Sequence, residues 1–499
     1  MSRQRVFAAG LGARVAERPD SLVRDAVGTG AERPARVARA ATTRLHVLTA
    51  GTRPNPALSA KLEAIAALPF VEHVLALPDL HQKDRMEVPS SLAIATRDTI
   101  VPEFTSVAVN DGMGVVVTNL EARDMTPERI ERFFAQVNAH SASHFLDSNR
   151  YSLSARELRA AALEGGRAVL ARYGLPPQAA DRMEWGGRML VPRGEEAFSA
   201  AVPGWLRSSP LGRCEMGLNF GGNHFLEVQS VDAVLDAWTA ARWGIARNQV
   251  VIMYHLGPGP FSGTLLHHYS RRSNLKGSRR PLLFVSKLLL HGSRVTRRTW
   301  SLHFRRNSWT PFAADSDEGV RIRQALAMAT NFGFAYRLAT VAAIRDALHD
   351  ALSTQVRAEL LCDIAHNSVF EEPWGAGSAW VARHNACRVT RGGPAIVAGS
   401  SDVPSYLGRA TAVGPPQLHS YDHGAGHLIE VSRRSGRLPR AGGFTTRVSM
   451  SRGRQGRVRF VSRAPVLVSE PVDRLMTCFA LNDVMQPVVR LRPAGTLKN

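Results

Sequence analysis

Three histidines in this chain stand where an apolar run begins or ends, and that placement is the first pointer to chemistry. His224 opens one run in Gly221-Gly222-Asn223-His224-Phe225-Leu226-Glu227. His255 closes another, just before Leu256-Gly257-Pro258-Gly259, and His366 follows a third in Asp363-Ile364-Ala365-His366-Asn367. An imidazole at the end of a buried segment can face a shared cavity, and neutral imidazole is the commonest ligand of borderline divalent metals. Taken singly, each is more simply a satisfied core or surface histidine. Taken together, three can make most of a metal site. A fourth, His423, lies on the small-residue turn Ser420-Tyr421-Asp422-His423-Gly424-Ala425-Gly426-His427. Such a turn lets backbone N–H groups approach a phosphate closely. Beside Asp422, His423 has the chemistry of a general base, a metal ligand or a nucleophile toward phosphorus, and spacing does not choose among these.

The elements that must position these residues can be read from hydrophobic period. Strand-like segments are Val71–Leu77, Ser91–Thr96, Ser106–Val109, Val115–Thr118, Leu226–Val231 and Asn248–Tyr254, rich in Val, Ile and Thr. Helical spacing runs over Ala57–Leu68, Pro127–Ala139 and Ala155–Tyr173, and Glu318–Leu352 reads as two long helices in succession. Beyond Glu359 short strands and glycine-rich turns dominate. Strands and helices alternate without a regular period or internal repeat, which predicts an α+β fold with one large mixed-sheet catalytic domain over 45–499 and flanking helices. Residues 1–44, with nine Arg and little apolar period, read as a flexible basic tail.

With these motifs in order, the chain resembles the RtcB family of RNA ligases. The resemblance rests on Leu77-Pro78-Asp79-Leu80-His81, Asn223-His224-Phe225-Leu226-Glu227, the pair His366-Asn367, Gly399-Ser400…Ser405-Tyr406, His423-Gly424-Ala425-Gly426 and the penultimate Lys498. It spans about Leu45 to Asn499. It implies that His423 takes GMP from GTP as a phosphoramidate and is the catalytic nucleophile. It further implies a guanylate pocket lined by Asn223, His224, Phe225, Leu226, Glu227, His366, Asn367, Ala398, Gly399, Ser400, Ser401, Ser405 and His423 to Gly426 (with Gly424 and Ala425 between), Lys498 contacting guanine. His224, His255 and His366 would be Mn²⁺ ligands, with Asn110 at the position of the family's carboxylate. The implied substrate is RNA with a 3′-phosphate or 2′,3′-cyclic phosphate and a 5′-hydroxyl, in tRNA splicing or RNA repair; an activating accessory protein is a second candidate partner.

One motif departs from the family. Its metal-bridging sequence Asp-x-Gly-Cys-Gly is matched here by Asn110-Asp111-Gly112-Met113-Gly114. A neutral thioether replaces the bridging thiolate, and a neutral amide replaces the carboxylate. Asp111 is one residue along; in an extended strand it faces the opposite side, so it serves the site only if the chain turns there. His255 is followed by Leu256-Gly257-Pro258-Gly259 where the family usually has Ser-Gly-Ser-Arg. The alternatives to a ligase are therefore a divergent relative with metal-dependent RNA-end phosphatase or phosphodiesterase activity, or an RNA-binding protein without catalysis.

Composition agrees with a polyanion partner. There are 63 Lys and Arg against 42 Asp and Glu, a formal net charge of +21, and neutralising phosphates releases their counterions. Residues 271–306 hold eleven Lys and Arg, residues 431–463 hold ten Arg, and neither stretch contains an acid. The first reads as a basic insert, and both are expected to contact the RNA backbone. Cys214, Cys362, Cys387 and Cys478 have no paired spacing, which fits a reducing cytoplasm rather than a disulfide framework. No apolar run approaches the ~18 residues of a membrane span, so no membrane partner is expected.

Overall fold

Strands that are apolar at nearly every position must be covered on both faces. The elements that position the site are arranged to do this. The computed structural model describes residues 44–499 apart from 52, 84–85, 142–146, 271–279, 295–296, 305–308, 412–417, 454–455 and 499. The basic tail expected over 1–44 lies almost wholly outside the described residues.

The strands used below are Leu45–Val47 (β1), Val71–His81 (β2), Ser90–Thr96 (β3), Gly112–Glu121 (β4), Phe225–Val234 (β5), Gln249–Leu256 (β6), Ala358–Ala365 (β7), Asn367–Trp374 (β8) and Gly377–His384 (β9). They continue with Ala386–Arg388 (β10), Pro394–Val397 (β11), Ser405–Ala410 (β12), Ser420–Asp422 (β13), Arg440–Gly453 (β14), Gly456–Leu467 (β15) and Met485–Lys498 (β16). The larger sheet runs β11-β12-β16-β5-β6-β4-β7, with the β14–β15 hairpin joined to β16. A second sheet runs β1-β2-β3-β9-β8, and β10 pairs with β13 as a short ribbon. The fold is α+β.

Period-2 alternation divides the larger sheet cleanly. Leu226, Val228, Ile252 and Tyr254 belong to one hydrophobic core, against which the helix Asp317–Ala351 packs. Met113, Val115, Val251, Met253 and Ile364 belong to a second core on the other face. Four strands bring one end to the same edge: β4 and β5 begin there, β6 and β7 finish there. Antiparallel pairing enforces this, with Met113 opposite His255 and Ile364, and Phe225 opposite His255.

Several expectations need correction. Residues 106–109 form a bend and turn rather than a strand. The helix expected over Ala155–Tyr173 breaks after Glu164, because Gly165 takes a positive φ of 66° that ends it. The two helices expected over 318–352 are one 35-residue helix, Asp317–Ala351. Gly333 in its middle answers to packing: a Cβ there would stand 2.9 Å from Asn110 Nδ2. The described part of the basic insert is two helices, Arg280–His291 and Arg297–Phe304. The first turns Ser286, Lys287 and His291 inward and leaves Leu282 and Leu289 exposed, the reverse of the usual arrangement.

Candidate active site

The four strand ends assemble one constellation. His224 precedes β5, His255 lies near the end of β6, His366 follows β7, and Asp111 precedes β4. The Asp111 carboxylate meets all three imidazoles: Oδ2 is 3.5 Å from His224 Nε2 and 3.6 Å from His366 Nε2, and Oδ1 is 3.6 Å from His255 Nε2. His255 Nε2 and His366 Nε2 face each other at 3.3 Å. Room for His224 depends on Gly257, where a Cβ would stand 3.0 Å from the imidazole.

These groups fit a metal ion. Bonds of about 2.1 Å to a tetrahedral ion set ligand–ligand edges of about 3.4 Å; ligand atoms of Asp111, His255 and His366 all lie within 4.8 Å of one another, and His224 reaches the group through Asp111. Asp111 Oδ1 is buried without a hydrogen bond, an arrangement that costs free energy unless a cation completes it. Burial works against the charged Asp111 carboxyl, yet the facing His366 and His224 outweigh it and hold it well below the usual carboxylate range. Burial likewise opposes a charged His224, but Asp111 wins and raises it. At His255 burial wins, and the imidazole is held neutral.

Asn110 is not part of this set, contrary to the sequence expectation. It takes the left-handed conformation, φ 64°. Its amide is turned to the helix side of the sheet, where Oδ1 accepts from Arg337 Nη2 at 3.0 Å and Nδ2 donates to the Thr330 carbonyl at 2.6 Å. Arg337 also donates to the Asn110 carbonyl and, through Nε and Nη2, to Asp363 at 2.7 and 2.5 Å. Tyr254 donates its hydroxyl to the same carboxylate at 2.6 Å. Arg337 and Asp363 are fully buried.

His423 follows β13 and joins the cluster from the other side. Its ring stacks on His366 at 4.6 Å and 17°, and its centroid is 5.8 Å from that of His255. Nδ1 stands 3.1 Å from the Asn385 carbonyl. A carbonyl only accepts, so Nδ1 carries the proton and Nε2 keeps the free lone pair. Burial, reinforced by His366 and His255, depresses its basicity well below the ordinary histidine value. The turn is braced by Asp79, whose carboxylate accepts from the backbone N–H of His427 and Leu428 at 3.2 and 2.8 Å. Asp79 N–H donates to Asp422 Oδ2 at 2.8 Å. Burial raises both carboxyls; the neighbouring Asp79 adds to the rise at Asp422, while the N–H groups of Leu428 and His427 and the Lys83 charge oppose it at Asp79.

The residues expected to line a guanylate pocket come together in part. The His423–Gly426 turn lies against Ala398: Ala398 N–H donates to the His423 carbonyl and Ala425 N–H to the Ala398 carbonyl, both at 3.0 Å. Gly399 N–H donates to Ser405 Oγ at 2.9 Å, and Gln229 Nε2 reaches the same hydroxyl at 3.1 Å. Gln229 also donates to Glu227 Oε2 at 2.7 Å. Burial pushes Glu227 up to about 7, with the Gln229 and Thr496 hydrogen bonds pulling the other way. Lys498 lies near enough to act electrostatically on Glu227 and His224. Phe225 packs on His255 at 5.3 Å, and Asn367 Oδ1 accepts from Asn385 N–H at 3.0 Å. Ser400 Oγ donates to Asp402 at 2.8 Å, and Ser401 is half-buried in the same turn. Gly424 and Gly426 stand beside His423 in the turn; Asn223 is exposed. Leu226 is the exception: alternation along β5 sends its side chain into the helix-side core.

Asp111 meets the condition named for it, since the chain turns at Asn110; Lys83, Asn385 and Arg337 carry no sequence signal. Lys83 lies close enough to Asp111 and Asp79 to feel both charges, while burial lowers its own basicity. The acid-free stretch 431–463 does not remain free of acids in space. Arg433 and Arg447 both pair with Asp402, at 3.0 and 2.7 Å. The four cysteines are free and buried. Among the described residues no helix is long and apolar enough to cross a membrane.

Comparison with known proteins places this chain in a family. Residues 61–499 match the family model described as tRNA-splicing ligase RtcB. The chain is 25% identical over 464 residues to the tRNA-splicing ligase RtcB of Thermococcus kodakarensis, covering 87% of this chain and 89% of that protein. It is 26% identical over 418 residues to the protein of the same name from Pyrococcus horikoshii, covering 79% of this chain. The chain spans under half that relative's length, 44%. With the RNA-splicing ligase RtcB of Mycobacterium bovis the identity is 27% over 314 residues, 58% of this chain and 66% of that protein. On a match that takes in most of its length, the chain belongs to the RtcB family.

Proposed function

We propose that this protein is a GTP- and Mn²⁺-dependent RNA ligase that joins RNA 3′-phosphate or 2′,3′-cyclic phosphate ends to 5′-hydroxyl ends through a guanylylated His423. The observation that carries the reading is the aim of His423. Its Nδ1 proton is committed to the Asn385 carbonyl, and its Nε2 lone pair is left for phosphorus. Neutrality at ordinary pH, set by burial, keeps that lone pair available.

In this reading His423 Nε2 forms a bond to the α-phosphorus of GTP, and the bond to the β-phosphate oxygen breaks, releasing pyrophosphate. The RNA 3′-phosphate oxygen then attacks the same phosphorus, and the N–P bond returns its electron pair to His423. A cyclic phosphate is hydrolysed beforehand. The 5′-hydroxyl finally attacks the RNA 3′-phosphorus, and GMP leaves. Asp111, His224, His255 and His366 would hold the metal, which when bound offsets negative charge on the phosphates. Glu227 can accept from the N–H edge of guanine, held in place by Gln229 and Thr496. The Ala398–Ser401 and His423–Gly426 turns supply small residues where a phosphate must approach backbone closely. The free, buried cysteines suit a reducing cytosol.

Met113 favours a second reading. It stands opposite His255 where the family motif has a thiolate, so a metal-dependent RNA-end phosphatase or phosphodiesterase is the competing activity. Incubation with α-labelled GTP and Mn²⁺ separates the two. Label retained on the protein and lost in His423→Ala supports the ligase. An unlabelled protein that still changes RNA ends supports the alternative, and salt-sensitive RNA retention alone leaves a binding protein.

A further inference from the structure

The Asn110-Asp111-Gly112-Met113 segment lacks both the carboxylate and the thiolate of the family motif at their usual positions, yet a carboxylate faces the histidines. The cause is conformational. Asn110 sits at φ 64°, a region that Asn tolerates and β-branched residues avoid. Arg337 fastens it there twice, through the Asn110 carbonyl and through Oδ1. Thr330 holds the other end of the amide. With Asn110 drawn toward the helix, the next side chain leaves on the opposite face, and that side chain is Asp111.

We propose that this chain has moved its acidic metal ligand by one residue, and that Asp111, His224, His255 and His366 bind a single divalent cation per chain. Asn110 and Arg337 are positioning residues in this arrangement and do not touch the metal. Two observations besides proximity point to a ligand. Asp111 Oδ1 is buried with no hydrogen-bond partner. Two imidazole Nε2 atoms face each other across 3.3 Å, a contact in which one proton or one cation must mediate. A second cation has nothing to bridge it, since Met113 offers a neutral thioether and the Asn110 amide oxygen is engaged by Arg337. Three nitrogens with one carboxylate also shift the preference along the divalent series from Mn²⁺ toward Co²⁺.

This inference rests on the metal-binding part of the proposed function and not on guanylylation, so it is tested without GTP. Full-length protein is titrated with Co²⁺, followed by visible absorption, and with Mn²⁺, followed by the resonance of the free ion. One ion per chain is expected, with Co²⁺ the tighter. Asp111→Asn and Asn110→Val should each weaken binding by about 10- to 100-fold. Asn110→Gly, which keeps the left-handed backbone without the amide, should stay within about threefold of the parent, by the conformational freedom of glycine. Where Asn110→Val does not fold, Asn110→Ala carries the same comparison. Two ions per chain overturn the proposal, as does full affinity in Asp111→Asn. Loss of the ion in Asn110→Gly to the extent seen in Asp111→Asn also overturns it, by placing the ligand on the amide. Failure of GTP labelling with one tightly bound ion counts against the ligase reading alone.

Discussion

The ring of His423 lies 4.6 Å from that of His366, nearly parallel at 17°, so the proposed nucleophile lies against the candidate metal-holding group of Asp111, His255 and His366 without being one of its members. Replacing His423 by Ala should therefore remove guanylylation by roughly 10⁴-fold or more, the scale of losing a covalent nucleophile, while Co²⁺ binding persists. Labelling and metal titration on the same preparation check this. Loss of both together would make His423 a ligand instead.

Glu227 makes nucleotide binding depend on pH. Burial raises its carboxyl from the ordinary 4.5 to about 7, so it is largely neutral in mildly acid solution. A carboxylate accepting from guanine must be ionised, and GTP affinity is expected to rise as pH increases through about 7 and then level off. The same shift bears on folding. A raised carboxyl contributes stability that is fully present below about 4.5 and is lost as pH climbs through about 7, at most roughly 3 kcal/mol. Glu227→Gln should flatten both curves, measured by GTP titration and by denaturant midpoints across this range. An unchanged pH profile in the variant would assign the titration elsewhere.

The Arg337–Asp363 pair is wholly buried, with Nη2–Oδ1 at 2.5 Å. Arg337→Met leaves a buried carboxylate without its counter-ion and should destabilise the protein by about 3–5 kcal/mol. The double variant Arg337→Met/Asp363→Leu should recover part of that loss in urea unfolding. Equal losses in the single and double variants would mean that packing, not charge, dominates there.

Asp79 caps the first turn of the Gly426–Arg434 helix from a distant strand, accepting two backbone N–H groups. Asp79→Ala should cost about 1–2 kcal/mol, the usual worth of an N-terminal cap, and slow guanylylation by loosening the turn that carries His423. Asp79→Asn, which keeps one acceptor oxygen, should lose less of both. Unfolding midpoints and labelling rates, compared between the two variants, decide it.

How much of this could be read beforehand follows from which interactions are local. The convergence of His224, His255 and His366 was legible because each closes or opens an apolar run, and antiparallel pairing brings such ends to one edge. Leu226 was misplaced because a motif records neighbours in sequence, whereas period-2 alternation sends it into the helix-side core. The exchange of Asn110 for Asp111 was illegible for a deeper reason. It turns on the sign of one backbone dihedral, fixed by Arg337 from more than two hundred positions away. Charge along the chain does not record which acids lie nearby in space. The stretch 431–463 contains no acid, yet Asp402 from outside it holds Arg433 and Arg447. Nor does the sequence show that Gly333, inside one continuous helix, is a point of close approach to Asn110.

The helix Asp317–Ala351 stands in the chain between His255 and His366, and through Arg337 it also grips the segment before β4. A cut inside it would strip both fragments of the wall against which their half of the histidines is mounted. Reconstitution from two polypeptides severed between 317 and 351 should therefore fail. The histidine cluster is in this sense indivisible: it can be inherited or lost as a whole, and neither piece is a smaller working version of the other.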